Sequence, residues 1–320
     1  MTAKALRSIG VVTLVVAFAC LPGSASAGEV PDNLTTTSPG FASDNDRYFS
    51  YVPTGEGPVI VDTFRGTTVS VKGADGCNPT DAYDGRFLLN CVVKTVGPDD
   101  VNQTLLASAE TGRTVRLERP SLRSYHTLGR YWAMGDSGCV GTGSHCSATI
   151  YRNLRTGKGR GFPVGYDRPD ERNVDQKGLF AAPNHPRFRL GRRENQVLWN
   201  RKVLITDDGS HLKLWRKGKK VVNIGESIGF EDGNTSLEGV ELGGGQFAWF
   251  DRVGALRSVE LNSLKRHKLP RSGYVSPVSG IFFGNTEMSP IRGGLITITG
   301  NATGVDVPDT EYEIQIVRYR

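Results

Sequence analysis

The stretch Leu105-Leu-Ala-Ser-Ala-Glu-Thr-Gly112-Arg-Thr-Val-Arg-Leu117 reads as an apolar strand, a turn ending on glycine, and a second strand that finishes on an apolar residue. The same arrangement occurs at Val59-Ile-Val-Asp-Thr-Phe-Arg-Gly66-Thr-Thr-Val-Ser-Val71 and at Thr149-Ile-Tyr-Arg-Asn-Leu-Arg-Thr-Gly157, running on to Phe162. It returns at Leu212-Lys-Leu-Trp-Arg-Lys-Gly218-Lys-Lys-Val-Val222 and at Leu256-Arg-Ser-Val-Glu-Leu-Asn-Ser263, running on to Leu269. The turn positions 66, 112, 157, 218 and 263 are separated by 46, 45, 61 and 45 residues. A near-constant period of this size marks a repeated supersecondary unit. The one long interval equals the usual spacing plus an insertion, placed at residues 164–195.

A second marker precedes most of these hairpins, a glycine turn followed by an apolar or aromatic strand. It is seen at Asp84-Gly-Arg-Phe-Leu-Leu-Asn90, Leu128-Gly-Arg-Tyr-Trp-Ala133, Gly244-Gly-Gln-Phe-Ala-Trp-Phe250 and Arg292-Gly-Gly-Leu-Ile-Thr-Ile298. Gln196-Val-Leu-Trp199 is assigned the same place in the fourth unit. The chain carries 40 glycines and 16 prolines and shows no long helical periodicity. That composition suits many short strands joined by tight turns. A small sheet cannot cover both of its own faces. Packing such sheets side by side around an axis buries a continuous core and leaves only short edges. The sequence therefore predicts an all-β chain, a β-propeller of about six four-stranded blades over residues 47–320, its ring closed by N- and C-terminal strands. The strands at Arg47–Val52 and Tyr312–Tyr319 are the expected partners in that closure.

The turns Glu110-Thr-Gly112 and Arg155-Thr-Gly157 resemble those of the TolB-like six-bladed propellers, and more distantly those of WD-repeat proteins. The resemblance covers most of residues 47–320 and implies the propeller fold. The regular Trp-Asp pairs of WD repeats are missing. The group mixes binding scaffolds, lyases and hydrolases, so the resemblance implies no single activity.

The N-terminal residues predict export. Lys4 and Arg7 precede an apolar run from Ile9 to Leu21, and Pro22-Gly-Ser24 leads to the small-residue pattern Ala25-Ser-Ala27. This is a signal-peptide pattern, with cleavage expected after Ala27. An uncleaved anchor and a lipoprotein acylated at Cys20 are the alternatives. Residues 28–46 read as a flexible leader. No later stretch is long and apolar enough to span a bilayer as a helix. Four cysteines remain after cleavage, an even number that in an exported protein reads as disulfides. Three pairings are open, and sequence distance favours Cys77–Cys91 with Cys139–Cys146.

Chemical motifs are sparse. Gly135-Asp-Ser-Gly138 matches the nucleophile motif of trypsin-like proteases, but Cys139-Val140 follows and His126 lies only 11 residues upstream. Turn chemistry is the reading adopted for it. The histidines at 126, 145, 185, 211 and 267 lack metal-ligand spacing. Asp207-Asp-Gly209 reads as a hairpin turn rather than a calcium loop. No cofactor or metal is expected.

Charge is the suggestive feature. Residues 151–220 hold 18 Lys/Arg and 7 Asp/Glu, while the rest of the mature chain is net acidic. Arg187, Arg189, Arg192 and Arg193 fall in the insertion. Such segregation creates a one-sided field. The reading is a non-enzymatic, monomeric exported scaffold that binds an anionic polymer or acidic protein through these arginines. No nucleic-acid module accompanies the charge. The alternative is an extracellular polysaccharide lyase or hydrolase with its site at the propeller axis.

Overall fold

The computed structural model describes residues 33–36, 40–96, 99–137, 148–163, 195–199, 203–216, 218–228, 240–243, 245–251, 255–268, 286–300 and 312–319. Among these residues, 24 strands form six four-stranded antiparallel sheets. In chain order the first sheet is β2 (Phe41–Ser43), β3 (Tyr48–Tyr51), β4 (Val59–Asp62) and β5 (Thr67–Ser70). The second is β6 (Cys77–Tyr83), β7 (Arg86–Val96), β8 (Asp99–Ser108) and β9 (Thr114–Arg116). The third is β10 (Arg123–Leu128), β11 (Trp132–Ser137), β12 (Ala148–Asn153) and β13 (Gly159–Pro163). The fourth is β14 (Asn195–Trp199), β15 (Val203–Asp207), β16 (His211–Arg216) and β17 (Val222–Glu226). The fifth is β18 (Val240–Gly243), β19 (Gln246–Phe250), β20 (Leu256–Glu260) and β21 (Arg266–Lys268).

The sixth sheet is built from both ends of the chain. It comprises β22 (Thr286–Ile291), β23 (Gly294–Gly300), β24 (Tyr312–Arg318) and β1 (Asn33–Thr36), with Asn33 opposite Gln315 and Thr36 opposite Tyr312. This corrects two expectations. The N-terminal partner of the last strand is residues 33–36, whereas Tyr48–Tyr51 is the second strand of its own sheet. Residues 28–46, read as a flexible leader, supply β1 and β2. The short polar run Asn33-Leu-Thr-Thr36 carries little periodic signal, because its contribution is to pair along an edge that the distant β24 presents.

Central strands are apolar on both faces because both faces are covered. All four residues of β4 and all five of β15 are buried, which explains their continuous apolar runs in place of alternation. Each fully buried Leu, Ile or Phe contributes about 1.5–3 kcal/mol relative to exposure. The cores lie between consecutive sheets. Ile60 and Val71 pack with Phe87 and Leu89 between the first and second, and Leu88 packs with Tyr125 and Ile150 between the second and third. Leu212 and Leu214 meet Phe247 and Trp249 between the fourth and fifth. Ala248 and Leu256 meet Met288 and Leu295, and Ile296 and Ile314 meet Phe49 and Val61.

The repeat markers hold one structural position. Gly66, Gly112, Gly157 and Gly218 all sit between the third and fourth strands of a sheet, at φ of 67°, 63°, 67° and 68°. In the fifth sheet the left-handed residue is Leu264 at φ 61°, one residue beyond the expected Ser263. A non-glycine residue there costs about 1–2 kcal/mol. The Leu264 side chain packs on the core between the fourth and fifth sheets, which offsets that cost. The sixth sheet lacks such a turn because its fourth strand comes from the N-terminus. Gln196–Trp199 lies in β14, the first strand of the fourth sheet, rather than in the second-strand place assigned from sequence.

The Cys77–Cys91 disulfide is formed, joining directly opposed residues of β6 and β7. Beyond it β7 and β8 continue as a two-stranded extension that β6 does not accompany. Cys139 and Cys146 lie outside the described residues. Among the described residues no helix is long and apolar enough to cross a membrane.

The glycines in the repeated turn differ in their surroundings, which separates two energetic effects. A Cβ at Gly112 would stand 2.2 Å from the Ser70 carbonyl oxygen, whereas a Cβ at Gly218 meets nothing within 4 Å. Gly218→Ala should cost about 1 kcal/mol from backbone strain alone, and Gly112→Ala at least about 2 kcal/mol more through the clash. Urea unfolding of the two variants measures the difference, and equal costs would contradict the packing described.

Candidate binding surfaces

In each sheet the strand order places two kinds of connection at opposite ends. Turns joining strands one to two and three to four lie at one end, the turn end. Turns joining strands two to three lie at the other, together with the crossovers from strand four to the next sheet. Backbone bonds tie each set together. At the turn end Thr63 N–H donates to Arg47 C=O (3.0 Å), Ala109 to Gly85 (2.8 Å), Leu154 to Tyr131 (2.8 Å), Leu261 to Gly245 (2.9 Å) and Tyr319 to Gly293 (2.9 Å). At the crossover end Ser227 N–H donates to Ser210 C=O (2.9 Å), and Asn102 and Ser121 bond each other's backbones.

The turn end also joins neighbouring sheets through the residues that open the second strands. Arg86 Nη2 donates to the carbonyls of Gly129 and Arg130 at 3.3 and 2.8 Å. Gln246 Nε2 donates to those of Ile291 and Gly294 at 2.7 and 2.6 Å. Arg292 forms a bidentate pair with Asp46, at 3.1 and 2.7 Å, between the sixth and first sheets. Tyr319 closes the C-terminal side, stacked on His267 with ring centroids 3.9 Å apart. Burial pushes its phenol up to about 12.

Within the first sheet, Asp62 organises its own turn. Its Oδ1 accepts the Phe64 and Arg65 N–H groups at 3.0 and 3.1 Å and Arg47 Nε at 2.9 Å, while Oδ2 accepts Arg47 Nη2 at 2.5 Å. Burial opposes the charge, but these four donors outweigh it and hold the Asp62 carboxyl below the usual carboxylate range. Arg47 also lies over the Tyr48 ring. In the third sheet Arg130 and Arg155 both lie over Tyr131, at 5.1 and 3.5 Å from its centroid.

The turn end is rich in cations. Arg65, Arg113, Arg155, Lys158, Lys219, Lys220, Lys265 and Arg266 are exposed on or beside the five third-to-fourth-strand turns. Glu110 is the one acidic residue within the turn segments 63–66, 109–113, 154–158, 218–221 and 261–265. The basic block at 151–220 is thus divided between the two ends. Arg155, Lys158, Lys219 and Lys220 stand at the turn end, while the connection from β13 to β14 leaves from the crossover end. That connection, residues 164–194, has seven basic and five acidic side chains, so most of the block's excess charge belongs elsewhere. The sequence count located the charge along the chain. Strand parity decides which end of a sheet each cation occupies.

The crossover end of the second and third sheets carries a polar cluster. Glu118 accepts Tyr125 Oη–H at 3.1 Å and Ser121 Oγ–H at 3.1 Å, and pairs with Arg123 and Arg152 at 3.5 and 3.4 Å. Burial, with Glu118 beside it, pushes the Tyr125 phenol up. Asn90 reaches across to Ser124 Oγ (2.8 Å) and to Tyr125 C=O (2.9 Å). On the strand pair β10–β11, His126 Nε2 lies 3.2 Å from Asp136 and its Nδ1 3.2 Å from Thr127 Oγ1. Nearby, the β7–β8 extension exposes Val92, Val93 and Val96.

The sequence-derived candidates separate clearly against this frame. Arg187, Arg189, Arg192 and Arg193 lie outside the described residues, as do His145 and His185. Gly135-Asp-Ser137 is part of strand β11 rather than a turn. A Cβ at Gly135 would lie 1.8 Å from the Ser124 carbonyl oxygen, so glycine there permits close strand approach. Asp207 and Asp208 do form the expected hairpin turn. Asp208 accepts the Ser210 and His211 N–H groups and pairs with Lys213 at 2.8 Å. Asp207 accepts Gly209 N–H, Ser227 Oγ–H and Ile228 N–H. His267 pairs with Glu260 at 3.0 Å on the outer part of the fifth sheet. Among the described residues no group of three or more His, Cys, Asp or Glu side chains could hold a metal ion. Sequence reading missed the Glu118 cluster, to which Arg152 comes from 34 residues away, and the gathering of cations at the turn end, which are spread from Arg65 to Arg266.

No family model matches the chain, and no curated protein matches it. Among solved structures, the computationally designed Ika8 protein is similar at 8% identity and a TM-score of 0.29, over 86% of this chain and 70% of that one. An oligogalacturonate lyase in complex with manganese is similar at 11% identity and a TM-score of 0.31, over 87% and 76%. A Bacteroides thetaiotaomicron protein of unknown function is similar at 11% identity and a TM-score of 0.35, over 87% and 68%. Likeness at these scores carries no argument about activity. The six small antiparallel sheets are themselves consistent with propeller blades.

Because the native fold depresses Asp62, its stabilisation is present above the ordinary aspartate range and is lost as pH falls through the folded value. Asp62→Asn should lower stability by about 1–3 kcal/mol at pH 7. The gap from the parent protein should narrow as pH is lowered below the ordinary aspartate value of about 3.9. Thermal unfolding across that range measures it, and a gap independent of pH would contradict the assignment.

Proposed function

We propose that the chain is a six-bladed β-propeller of the TolB-like type, exported after removal of residues 1–27, that works as a monomeric, non-enzymatic scaffold for an anionic partner outside the cell. Six four-stranded sheets, packed in chain order between first, second and third and between fourth, fifth, sixth and first, support the ring. Contact of the third sheet with the fourth would complete it. The β1–β24 pairing supplies the closure that lets both chain ends share one blade. A disulfide is compatible with an oxidising compartment.

The observation that carries the binding role is the excess of cations in residues 151–220 against a net acidic remainder. An uneven field of this kind raises the local concentration of anionic partners and speeds their encounter. Long connections on a rigid scaffold are the usual place for recognition, and residues 164–195 form the longest departure from the repeat. The partner class is an acidic polymer or acidic protein, and no nucleic acid or cofactor is invoked. The His126–Asp136 pair serves the alternative, a polysaccharide lyase or hydrolase. Depolymerisation of an acidic polysaccharide that is lost in His126→Ala would favour that alternative.

The mature protein should be retained on an anionic matrix at low ionic strength and released by salt, since screening beyond about 8–10 Å is substantial at physiological salt. Replacing Arg187, Arg189, Arg192 and Arg193 together by Ser should move elution to lower salt. Unchanged elution would remove these arginines from the binding face.

A further inference from the structure

The fourth and fifth sheets bring two basic turns together at the turn end. Lys219 and Lys220 follow Gly218, which takes φ 68°, and Lys265 and Arg266 follow Leu264 at φ 61°. Both turns are fixed by short backbone bonds, Lys219 N–H to Arg216 C=O at 3.1 Å and Leu264 N–H to Glu260 C=O at 3.0 Å. The turns are also tied to each other. Arg216, from β16, donates Nη1 to the carbonyls of Leu261 and Asn262 at 2.8 and 3.4 Å. Arg266, from β21, donates Nη2 to Asn223 C=O at 3.1 Å. The apolar core beneath, with Leu214 and Phe247, holds the two sheets in register.

Among the described residues, little of this patch's charge is offset, the exception being the Glu260 carboxylate that Lys265 helps to keep ionised. Lys219, Lys220, Lys265 and Arg266 are all exposed, and none forms an ion pair among the described residues. Glu260, the adjacent carboxylate, is directed to Ser263 Oγ and to His267 at 3.0 Å. Asn262 and Ser263 are the exposed residues between the cations. Large exposed apolar side chains stand elsewhere among the described residues, namely Phe64, Val92, Val93, Val96, Val115 and Leu122. A bilayer-docking face combines cations with apolar side chains that enter the headgroup region. This patch offers cations and hydrogen-bonding groups without apolar anchors, which matches a hydrated polyanion instead. Arginine and lysine recognise carboxylate and sulfate through charge-assisted hydrogen bonds.

We infer that Lys219, Lys220, Lys265 and Arg266 form a binding site for an acidic polysaccharide, a chain bearing carboxylate or sulfate groups that lies across the paired turns of the fourth and fifth sheets. The inference rests on the reading of the protein as a binder of anionic partners. It places the site at the end of the fourth sheet opposite that at which β14 begins.

The test uses the mature chain, residues 28–320, with heparin as the probe, in the parent protein, in Lys219→Ser/Lys220→Ser/Lys265→Ser/Arg266→Ser and in the Arg187/Arg189/Arg192/Arg193 serine variant. The turn variant should bind heparin at least tenfold more weakly in calorimetry, with a thermal midpoint lowered only slightly by loss of the Arg266–Asn223 bond. Restoring charge as Lys219→Arg/Lys220→Arg/Lys265→Arg should preserve binding, which separates loss of charge from loss of fold. Heparin binding that survives in the turn variant but fails in the insertion variant overturns this site and leaves the anionic-partner reading standing. Absence of heparin binding by the parent protein overturns both. Parent binding to vesicles containing 30% phosphatidylglycerol, or to duplex DNA, as tightly as to heparin overturns the polysaccharide assignment.

Discussion

The central strands of every sheet are apolar on two faces, and that constraint organises the rest of the molecule. Val59-Ile-Val61, Phe87-Leu-Leu89 and Val203-Leu-Ile205 are buried throughout, so neither face of their sheets can be left to water. Each sheet therefore needs a neighbour on both sides, and the described cores lie between sheets rather than within them. A chain of such sheets has exposed apolar ends unless it closes. The pairing of β1 with β24 makes one sheet from both ends of the sequence.

Tight packing governs the connections as well. At the turn end the three-to-four turn bonds back to the one-to-two turn in the first, second, third and fifth sheets, which fixes the backbone of those turns. Arg86, Gln246 and Arg292 then use this regularity to reach backbone carbonyls or a carboxylate of the next sheet. A rigid turn fixes the backbone from which a side chain departs, so only the side chain itself has to be ordered when a partner binds. The Lys219–Lys220 turn, closed by the Lys219 N–H to Arg216 C=O bond, and the Lys265–Arg266 turn both offer such a backbone, whereas Arg47 is already engaged by Asp62.

The crossover end has a different character. Glu118 gathers Arg123, Arg152, Tyr125 and Ser121 from the second-to-third crossover and the third sheet, and Asn90 crosses the same interface. These contacts satisfy polar groups that packing has drawn away from water. They make the junction of the second and third sheets specific as well as apolar. The disulfide at Cys77–Cys91 marks where that support ends and the β7–β8 extension begins.

Local sequence was enough to determine the strand-turn-strand unit, its period and the Asp207-Asp-Gly209 hairpin, and to favour the Cys77–Cys91 bridge that the structure shows. Each depends on neighbours a few residues apart, or on glycine, whose backbone freedom is readable directly. Leu264 in place of Ser263 could not be read, because a left-handed leucine is tolerated only where a neighbouring sheet buries its side chain. The pairing of residues 33–36 with 312–315 was equally hidden, since a short polar edge strand has no signal without its partner. The division of the basic block between two ends was decided by tertiary structure alone. Charge adjacent along the chain separates in space when strands alternate direction, and only the completed sheets show which cations end up side by side.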